Sequence, residues 1–377
     1  MSGAMKNMIY LDYNATAPIR RAVITAVAEA MAVYGNPSSV HGAGREARAL
    51  VEQARAQVAA LAGARARDVT FCSGGTEASN TVIRGAGAAS LIISSVEHDC
   101  VRAAAEASGL PVYEIPVDGD GVVDMTMLEH HLKEAPKPAL VSVMYANNEM
   151  GAIQPIADIV ALAHENGARL HTDAVQAAGK IMIDRAALGA DYLTLSAHKI
   201  GGPQGVGAII SAPTAPLKAL IAGGGQELSR RSGTENVAGI VGFGVAALEA
   251  MADIAMADKL GIMRDRLESE IKAHTNAAQI VAERAPRLAN TSCIAMPGVK
   301  GETQVMHFDL SGICVSSGSA CSSGKVKVSH VLDAMGYEAG VADASVRISL
   351  GYNTSDDDID RFVAAWKKLY DRTAVQG

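Results

Sequence analysis

Alternating strands and helices constrain this chain more than any other feature of its sequence. Between residues 69 and 211, short apolar stretches with the composition of buried strands are separated by segments that have apolar residues at helical spacing. The predicted strands are Val69–Cys72, Leu91–Ser95, Val112–Ile115, Ala139–Met144, Arg169–Thr172, Tyr192–Leu195 and Val206–Ser211. Such alternation is typical of crossover units, so we expect an α/β fold with a mostly parallel sheet covered by helices.

The alternation stops near residue 250. A long helical pattern at 240–269 leads into short strands at 279–282 and 291–295, and then into helices near the C terminus. We therefore predict a large domain of residues 16–254 and a smaller α+β domain made of residues 1–15 and 255–377. A chain of 377 residues has room for both cores.

Composition and charge exclude several classes of protein. Hydrophobic residues make up 49% of the chain and charged residues 19%, as in a globular protein. The net charge of -7 provides no basic surface for a nucleic acid or an anionic membrane. We recognise no signal peptide and no apolar run of membrane-spanning length, so we expect a cytoplasmic protein. The five cysteines contain no CxxC pair, and no Cys/His group has the spacing of a metal site.

Polar groups follow the ends of several predicted strands. The strand that begins at Tyr192 ends on Ser196, His198 and Lys199, and glycines follow it. A lysine at the mouth of a buried strand, next to backbone too bare to crowd a ligand, suits a Schiff-base amine. Most lysines after a strand are simply solvated, so this pattern alone leaves both interpretations open.

A second group lies at Ser73–Asn80, directly after the strand that ends at Cys72. Bare backbone amides at the start of a helix, together with the Thr76 hydroxyl, can form a phosphate cup. The alternative is an ordinary strand-to-helix turn in which Thr76 is the N-cap.

Asp173, His98 and Asn148 also come just after predicted strands. In open α/β sheets ligands bind at this edge, where a carboxylate can hold a pyridinium nitrogen protonated. An imidazole there can stack on a flat ring and exchange protons near neutral pH. Taken alone, Asp173 and His98 are better explained as structural residues, and Asn148 by itself favours neither interpretation.

The stretch 316–325 is mostly serine and glycine and carries Cys321. This composition predicts a mobile loop, and a cysteine on such a loop is exposed and reactive. A nucleotide-binding P-loop is excluded, because the glycine spacing is wrong and Val326 replaces the required Ser or Thr.

Taken together, these groups are those that hold pyridoxal 5'-phosphate (PLP). Here the chain resembles the cysteine desulfurases of the nitrogen-fixation and iron–sulfur-assembly type, which belong to the class V aminotransferases and have the PLP-dependent transferase fold type I. The resemblance runs nearly from end to end. The motifs that carry it best are residues 74–80, 147–151, 171–176, 196–199, 223–227, 231–236 and 317–321.

The resemblance implies roles for the residues that match the family's motifs. The residues assigned to the cofactor are Gly75, Thr76, His98, Asn148, Asp173, Gln176, Ser196, His198, Lys199 and Thr234. Lys199 would attach PLP covalently and then move the α-proton of the substrate, with His98 stacked on the ring. Asp173 would contact the ring nitrogen, and Thr234 would reach the phosphate of the neighbouring subunit in a homodimer.

For the substrate, the resemblance assigns the carboxylate to Arg347, with Asn14 and Asn36 nearby. It implies that sulfur is removed from L-cysteine, giving L-alanine and a persulfide on Cys321. The persulfide would pass to an acceptor such as an iron–sulfur scaffold protein.

Two alternatives stay open at this point. One keeps the fold and cofactor but changes the reaction, as in a selenocysteine lyase or another class V aminotransferase. The other is a sulfur-relay protein without enzymatic activity. Cys321 in its loop argues against an aminotransferase, and the intact set of Lys199, Asp173, His98 and Cys321 argues against an inactive protein.

Overall fold

The computed structural model describes residues 8–317 and 329–374. Its strands are β1 Ile9–Tyr10, β2 Val69–Cys72, β3 Ser90–Ser94, β4 Val112–Ile115, β5 Ala139–Ser142, β6 Arg169–Asp173, β7 Tyr192–Ser196, β8 Gly207–Ser211, β9 Gln279–Ile280, β10 Thr291–Ala295, β11 Ile313–Cys314, β12 Ser316–Ser317 and β13 Ser345–Ser349. Its helices are α1 Arg21–Met31, α2 Gly42–Leu61, α3 Gly75–Gly85, α4 Asp99–Glu106, α5 Met125–Glu134, α6 Ile156–Glu165, α7 Arg185–Leu188, α8 Val237–Asp253, α9 Ala257–His274, α10 Gly301–Leu310, α11 His330–Ala334, α12 Ala339–Asp343 and α13 Asp356–Ala374.

The large sheet contains seven strands in the order β2-β8-β7-β6-β5-β3-β4. From β7 to β4 all neighbours are parallel, and β8 alone runs against its two neighbours. The segment between β7 and β8 contains only a short 3-10 turn, Ala197–Ile200. A parallel return needs a crossover of a dozen residues or more, so this shorter connection yields an antiparallel strand. The mostly parallel sheet expected from the sequence is confirmed.

Helices cover both faces of this sheet. Leu193 and Leu195 pack in one core cluster with residues of α2 and α8, whereas Tyr192 packs in another with residues of α3 and α4. Alternate residues of β7 therefore face opposite helical layers, which is why all five of its residues are buried. A Cβ at Gly244 of α8 would lie 2.7 Å from the Ala54 Cα atom of α2, so glycine permits the close approach of the two helices.

A second sheet, in the order β12-β13-β10-β9, is antiparallel. Its core includes Trp366 and Phe362 of α13 together with Ile9 and Leu11 from the start of the chain. Strand β1 pairs with β11, and beyond it Asp12 bridges to Ser349. The predicted boundary at residues 254 and 255 stays a prediction; the structure has a 3-10 turn at Ile254–Met256 between α8 and α9.

The expectation that no segment reaches membrane-spanning length was wrong. The continuous helical segment Val237–His274 has 38 residues. Judged by length and composition alone, it is long and apolar enough to cross a membrane. The segment consists of α8 and α9, and the 3-10 turn at Ile254–Met256 that joins them hardly interrupts the helix. A core helix has the same composition, and Phe243 and Ala246 of α8 are indeed buried against α2 and the large sheet.

The loop that follows the large sheet is fixed by a buried ion pair. Arg55 on α2 contacts Glu227 with both terminal nitrogens, at 2.7 and 2.8 Å, and a Glu227 oxygen also accepts from the Phe71 amide at 2.8 Å. Glu227, Leu228 and Ser229 have φ values of 48°, 57° and 62°, which are unfavourable for residues other than glycine. The ion pair therefore holds a strained backbone in place.

We expect Glu227→Gln to lower the free energy of unfolding by about 3 kcal/mol, because it removes the buried partner of the Arg55 charge and leaves the exposed carboxylate of Glu52. Urea denaturation of the protein without cofactor measures this. Glu129→Gln, which breaks the exposed pair with Lys133, is the matched control and should leave the midpoint unchanged. Equal midpoints for Glu227→Gln and wild type would contradict the assignment.

Candidate active site

The carboxyl ends of β3, β5, β6 and β7 meet at one edge of the large sheet, where a cavity of about 260 Å³ opens. Most site residues predicted from the sequence line this cavity. They are Asn14, Gly75, Thr76, His98, Asn148, Asp173, Gln176, Ser196, His198, Lys199 and Arg347. The parallel sheet explains the convergence, because residues just beyond neighbouring strands are brought to the same edge.

Three predicted residues are not part of this lining. Asn36 and Thr234 are exposed and are not among the residues that line the cavity of their own chain. Cys321 lies outside the described residues, so its predicted role is untested. Conversely, sequence reasoning missed Cys100 and Met144, which also line the cavity. Cys100 lies two residues after His98, at the start of α4, and this spacing is the signal that could have revealed it.

The start of α3 forms one wall of the cavity. The N-cap of this helix is Gly74, with φ of 150°, so the alternative in which Thr76 is the N-cap was wrong. Glycine is required at this position, because a side chain rarely adopts that backbone conformation. Gly75 and Thr76 occupy the first two positions of the helix, so backbone amides and a hydroxyl border the cavity with Ser196 and His198. This donor set suits a phosphate.

The Lys199 amine is held by the beginning of the chain. Its Nζ atom donates to the main-chain oxygens of Asn14 and Ala15, at 2.6 and 2.8 Å. The same segment is attached to the strand-end turn, since the Ala17 amide donates to the His198 oxygen at 2.8 Å and His198 Nδ1 lies 3.2 Å from Thr16 Oγ1. The amine that the sequence singled out is therefore placed by main-chain contacts.

Asp173 is the last residue of β6, and its side chain is buried in the wall of the cavity. One carboxylate oxygen accepts from the Val175 amide at 2.9 Å. Burial raises the pKa of Asp173, and the nearby His98 and Lys199 only partly oppose this. A cation placed against this carboxylate would offset the cost of its buried charge.

His98 combines the two interpretations that the sequence left open. It is the N-cap of α4, where its Nδ1 atom accepts from the Cys100 amide at 3.1 Å, and it also lines the cavity. Burial lowers its pKa, so the ring is neutral near pH 7. With Nδ1 accepting, the proton of the neutral ring lies on Nε2.

Arg347 lies in the middle of β13, and its side chain is only 4% exposed. One terminal nitrogen donates to Asp12 Oδ1 at 2.7 Å and the other to the Asn148 main-chain oxygen at 3.0 Å. Its Nε atom is buried and has no hydrogen-bond partner among the described residues. A planar cation with an unused donor at the cavity suits a carboxylate.

Comparisons with known proteins agree with this geometry. A family model described as Aminotransferase class-V matches residues 9–362. A cysteine desulfurase from Cereibacter sphaeroides is 42% identical over 97% of this chain and 96% of its own length. The chain belongs to the cysteine desulfurases of this family.

Solved structures resemble this desulfurase along its length. The X-ray structure of a NifS-like protein from Rickettsia africae ESF-5 has a TM-score of 0.89 and 38% identity, with 97% of this chain and 100% of that chain covered. A structure described as SspA in complex with cysteine has a TM-score of 0.76 and 31% identity, with 91% and 98% covered. The fold expected from the sequence, that of PLP-dependent transferases of type I, is confirmed.

The described residues of the desulfurase fit PLP. The cup at the start of α3 offers amide and hydroxyl donors, a cation would offset the buried charge of Asp173, and Lys199 contributes an amine to the same lining. Phosphate, pyridinium and aldehyde groups would each find a chemically matching partner around one cavity.

Glu149, next to Asn148, provides a test of the site's electrostatics. It accepts from Ser329 Oγ at 2.6 Å, and burial raises its pKa from 4.5 to about 7. The folded protein thus holds this proton more tightly than the unfolded chain. The resulting stabilisation is complete below pH 4.5 and is lost as the pH rises through 7.

We therefore expect Glu149→Gln, which stays neutral, to gain stability relative to wild type as the pH rises from 4.5 to 7. The relative gain should reach about 3 kcal/mol. Urea unfolding of the cofactor-free protein at several pH values measures it, with Glu338→Gln at an exposed site as control. A difference that does not change with pH would contradict the prediction.

Proposed function

We propose that this protein is a PLP-dependent cysteine desulfurase that takes sulfur from L-cysteine, releases L-alanine and carries the sulfur as a persulfide on Cys321. One observation carries the proposal: Lys199, Asp173, His98 and the start of α3 converge on a single cavity beside the Arg347 guanidinium. The proposal therefore rests on the chemistry of the site and not only on the similarity of the fold.

Gly75, Thr76, Ser196 and His198 would hold the phosphate of PLP, and Asp173 would pair with its ring nitrogen. Gln176 and Asn148 would address the ring oxygen, and the His98 ring would lie against the cofactor face. When bound, PLP supplies an electron sink for the charge left at Cα after proton loss.

Lys199 would attach the cofactor and would carry the α-proton of the substrate. Its amine donates to the main-chain oxygens of Asn14 and Ala15, which hold it at the cavity. His98, neutral and half-buried at the same cavity, carries its proton on Nε2 because Nδ1 accepts from the Cys100 amide, so its ring would act as a hydrogen-bond donor there.

Arg347 would orient the substrate through its carboxylate. Two of its nitrogens are already committed to Asp12 and Asn148, so the guanidinium plane is fixed before the substrate arrives. Pre-organised donors contribute to rate because they need no rearrangement during the reaction.

Cys321 would act as the nucleophile. Its thiolate forms a bond to the substrate sulfur while the bond between that sulfur and the substrate Cβ breaks, and the carbon fragment leaves as alanine after protonation. The remaining persulfide would pass to a protein acceptor such as an iron–sulfur scaffold.

We also propose a cytoplasmic homodimer in which Thr234 of one subunit contacts the phosphate that the other subunit binds. In support, exposed apolar side chains lie near the two predicted residues that do not line the cavity of their own chain. Tyr34 and Val40 flank Asn36, and Leu228 precedes Thr234. Association would cover such side chains.

Cys321→Ser tests the nucleophile. It should lower sulfide release in the presence of L-cysteine and a reductant about a thousandfold or more, because serine cannot form a persulfide, while cofactor absorbance is retained. Lys199→Ala, in contrast, should lose the normal absorbance and also slow the reaction about 100-fold or more. Sulfide release at the wild-type rate from Cys321→Ser would exclude the persulfide role; parallel assays with L-selenocysteine distinguish the alternative of a selenocysteine lyase.

Asp173→Asn tests the electron-sink assignment separately. Losing the charged partner of the ring nitrogen should weaken PLP binding by about 10- to 100-fold, the range of one charge-assisted hydrogen bond. Equilibrium titration of the cofactor-free protein followed by absorbance measures the dissociation constant. Asp191→Asn, at a carboxylate outside the cavity, is the control; unchanged affinity in Asp173→Asn would rule the assignment out.

A further inference from the structure

A second lysine, Lys180, lies beside the catalytic one and has no role in the assignments above. Its Nζ atom donates to Asn14 Oδ1 at 2.7 Å and to Gln176 Oε1 at 2.6 Å. Both acceptors belong to residues of the candidate site. Lys180 also lines a second, smaller cavity of about 50 Å³, which it shares with Lys199 and Asn290.

Lys180 donates to the oxygen ends of two side-chain amides. At Gln176 it provides the donor that sets the orientation of the amide, and at Asn14 it shares this role with Asn290 Nδ2, which donates to the same oxygen at 3.2 Å. Because the Gln176 oxygen faces Lys180, its nitrogen faces the main-chain oxygen of Asn14, to which it donates at 2.9 Å. Likewise the Asn14 oxygen faces Lys180, and its nitrogen donates to Thr291 Oγ1 at 2.9 Å. An amide has an acceptor end and a donor end, so a donor placed at one end fixes the other.

These orientations lead to the Lys199 amine. The main-chain oxygen of Asn14 accepts from both Gln176 Nε2 and Lys199 Nζ, at 2.9 and 2.6 Å. If Gln176 turned over, its oxygen would face that carbonyl oxygen, and the segment holding Lys199 would be displaced. Lys180 and the Lys199 amine therefore contact the same residue, Asn14, one at its side chain and the other at its main chain.

The surroundings of Lys180 favour an uncharged amine. Both of its hydrogen-bond acceptors are neutral amide oxygens, and among residues 8–317 and 329–374 no carboxylate forms an ion pair with it. Burial lowers its pKa well below the ordinary value, and the charges of Lys199 and Arg347 act in the same direction. A neutral amine has two N–H groups, which is the number that the two acceptors need.

We propose that Lys180 is a positioning residue of the desulfurase reaction, which donates as an uncharged amine to Asn14 and Gln176 and thereby fixes the segment that receives Lys199. This inference rests on the proposed function. It differs from two simpler roles. A packing role would need only the aliphatic stem of Lys180, and a counter-charge role would need its positive charge.

Three substitutions separate these roles. Lys180→Gln keeps a neutral N–H donor, Lys180→Met keeps the length and apolar stem without a donor, and Lys180→Arg makes the charge permanent. Lys133→Met, at an exposed surface lysine, is the matched control. Each variant is assayed for kcat and KM with L-cysteine at saturating PLP, and for the rise in thermal midpoint when PLP is added to the cofactor-free protein.

We expect kcat to fall about tenfold or more in Lys180→Met and Lys180→Arg and within about threefold in Lys180→Gln, with KM for L-cysteine nearly constant, because a displaced reacting group slows chemistry more than binding. The PLP-induced rise in midpoint should follow the same order. Lys133→Met should match wild type in both measurements.

Several results would overturn the inference. Wild-type kcat in Lys180→Met would indicate packing, wild-type kcat in Lys180→Arg would indicate charge, and failure of all three variants to fold would assign Lys180 to stability. Wild-type protein that binds PLP but makes no alanine from L-cysteine would instead overturn the proposed function, and the order of the PLP-induced midpoints would still decide the role of Lys180.

Discussion

The hydrogen bonds from Lys199 to the main-chain oxygens of Asn14 and Ala15 are the contacts on which the rest of the site depends. They join the beginning of the chain to the end of β7, across more than 180 residues. The segment that provides them is itself held between two cores. Before it, Ile9 and Leu11 pack in the small-sheet core. After it, the Ala17 amide is bonded to the strand-end turn. The reactive amine is thus placed where the two parts of the molecule meet.

This arrangement explains how much of the fold was predictable. Strand β2 was predicted at its observed bounds, because a strand buried on both faces is a run of apolar residues that local sequence reveals. The 3-10 turn at Ile254–Met256 was missed, since the helical pattern continues through it and the flanking residues Asp253 and Ala257 keep helical dihedrals. The order of the strands in the sheet could not be read from a local pattern at all.

The candidate site likewise contains residues that the sequence predicted and residues that it did not. Lys199, Asp173 and His98 were predictable because each follows a strand, and parallel strands bring their carboxyl ends to one edge. Lys180 was not, because its partners are Gln176, four residues away in a turn, and Asn14, 166 residues away. Arg347 came only from resemblance, since nothing in its strand indicates that Asp12 and Asn148 will fix its guanidinium plane.

Electrostatics give the site its chemical character. Burial raises the pKa of Asp173 and lowers that of His98 and Lys180, so each of these groups is pushed toward its neutral form. Keeping such groups charged costs free energy, and a ligand that carries complementary charges into the site lowers this cost. The cofactor of the proposed function, with a cationic ring nitrogen and an anionic phosphate, would supply both charges, the first at Asp173 and the second at the start of α3. The burial that pushes these residues toward their neutral forms would therefore favour a ligand that carries two opposite charges.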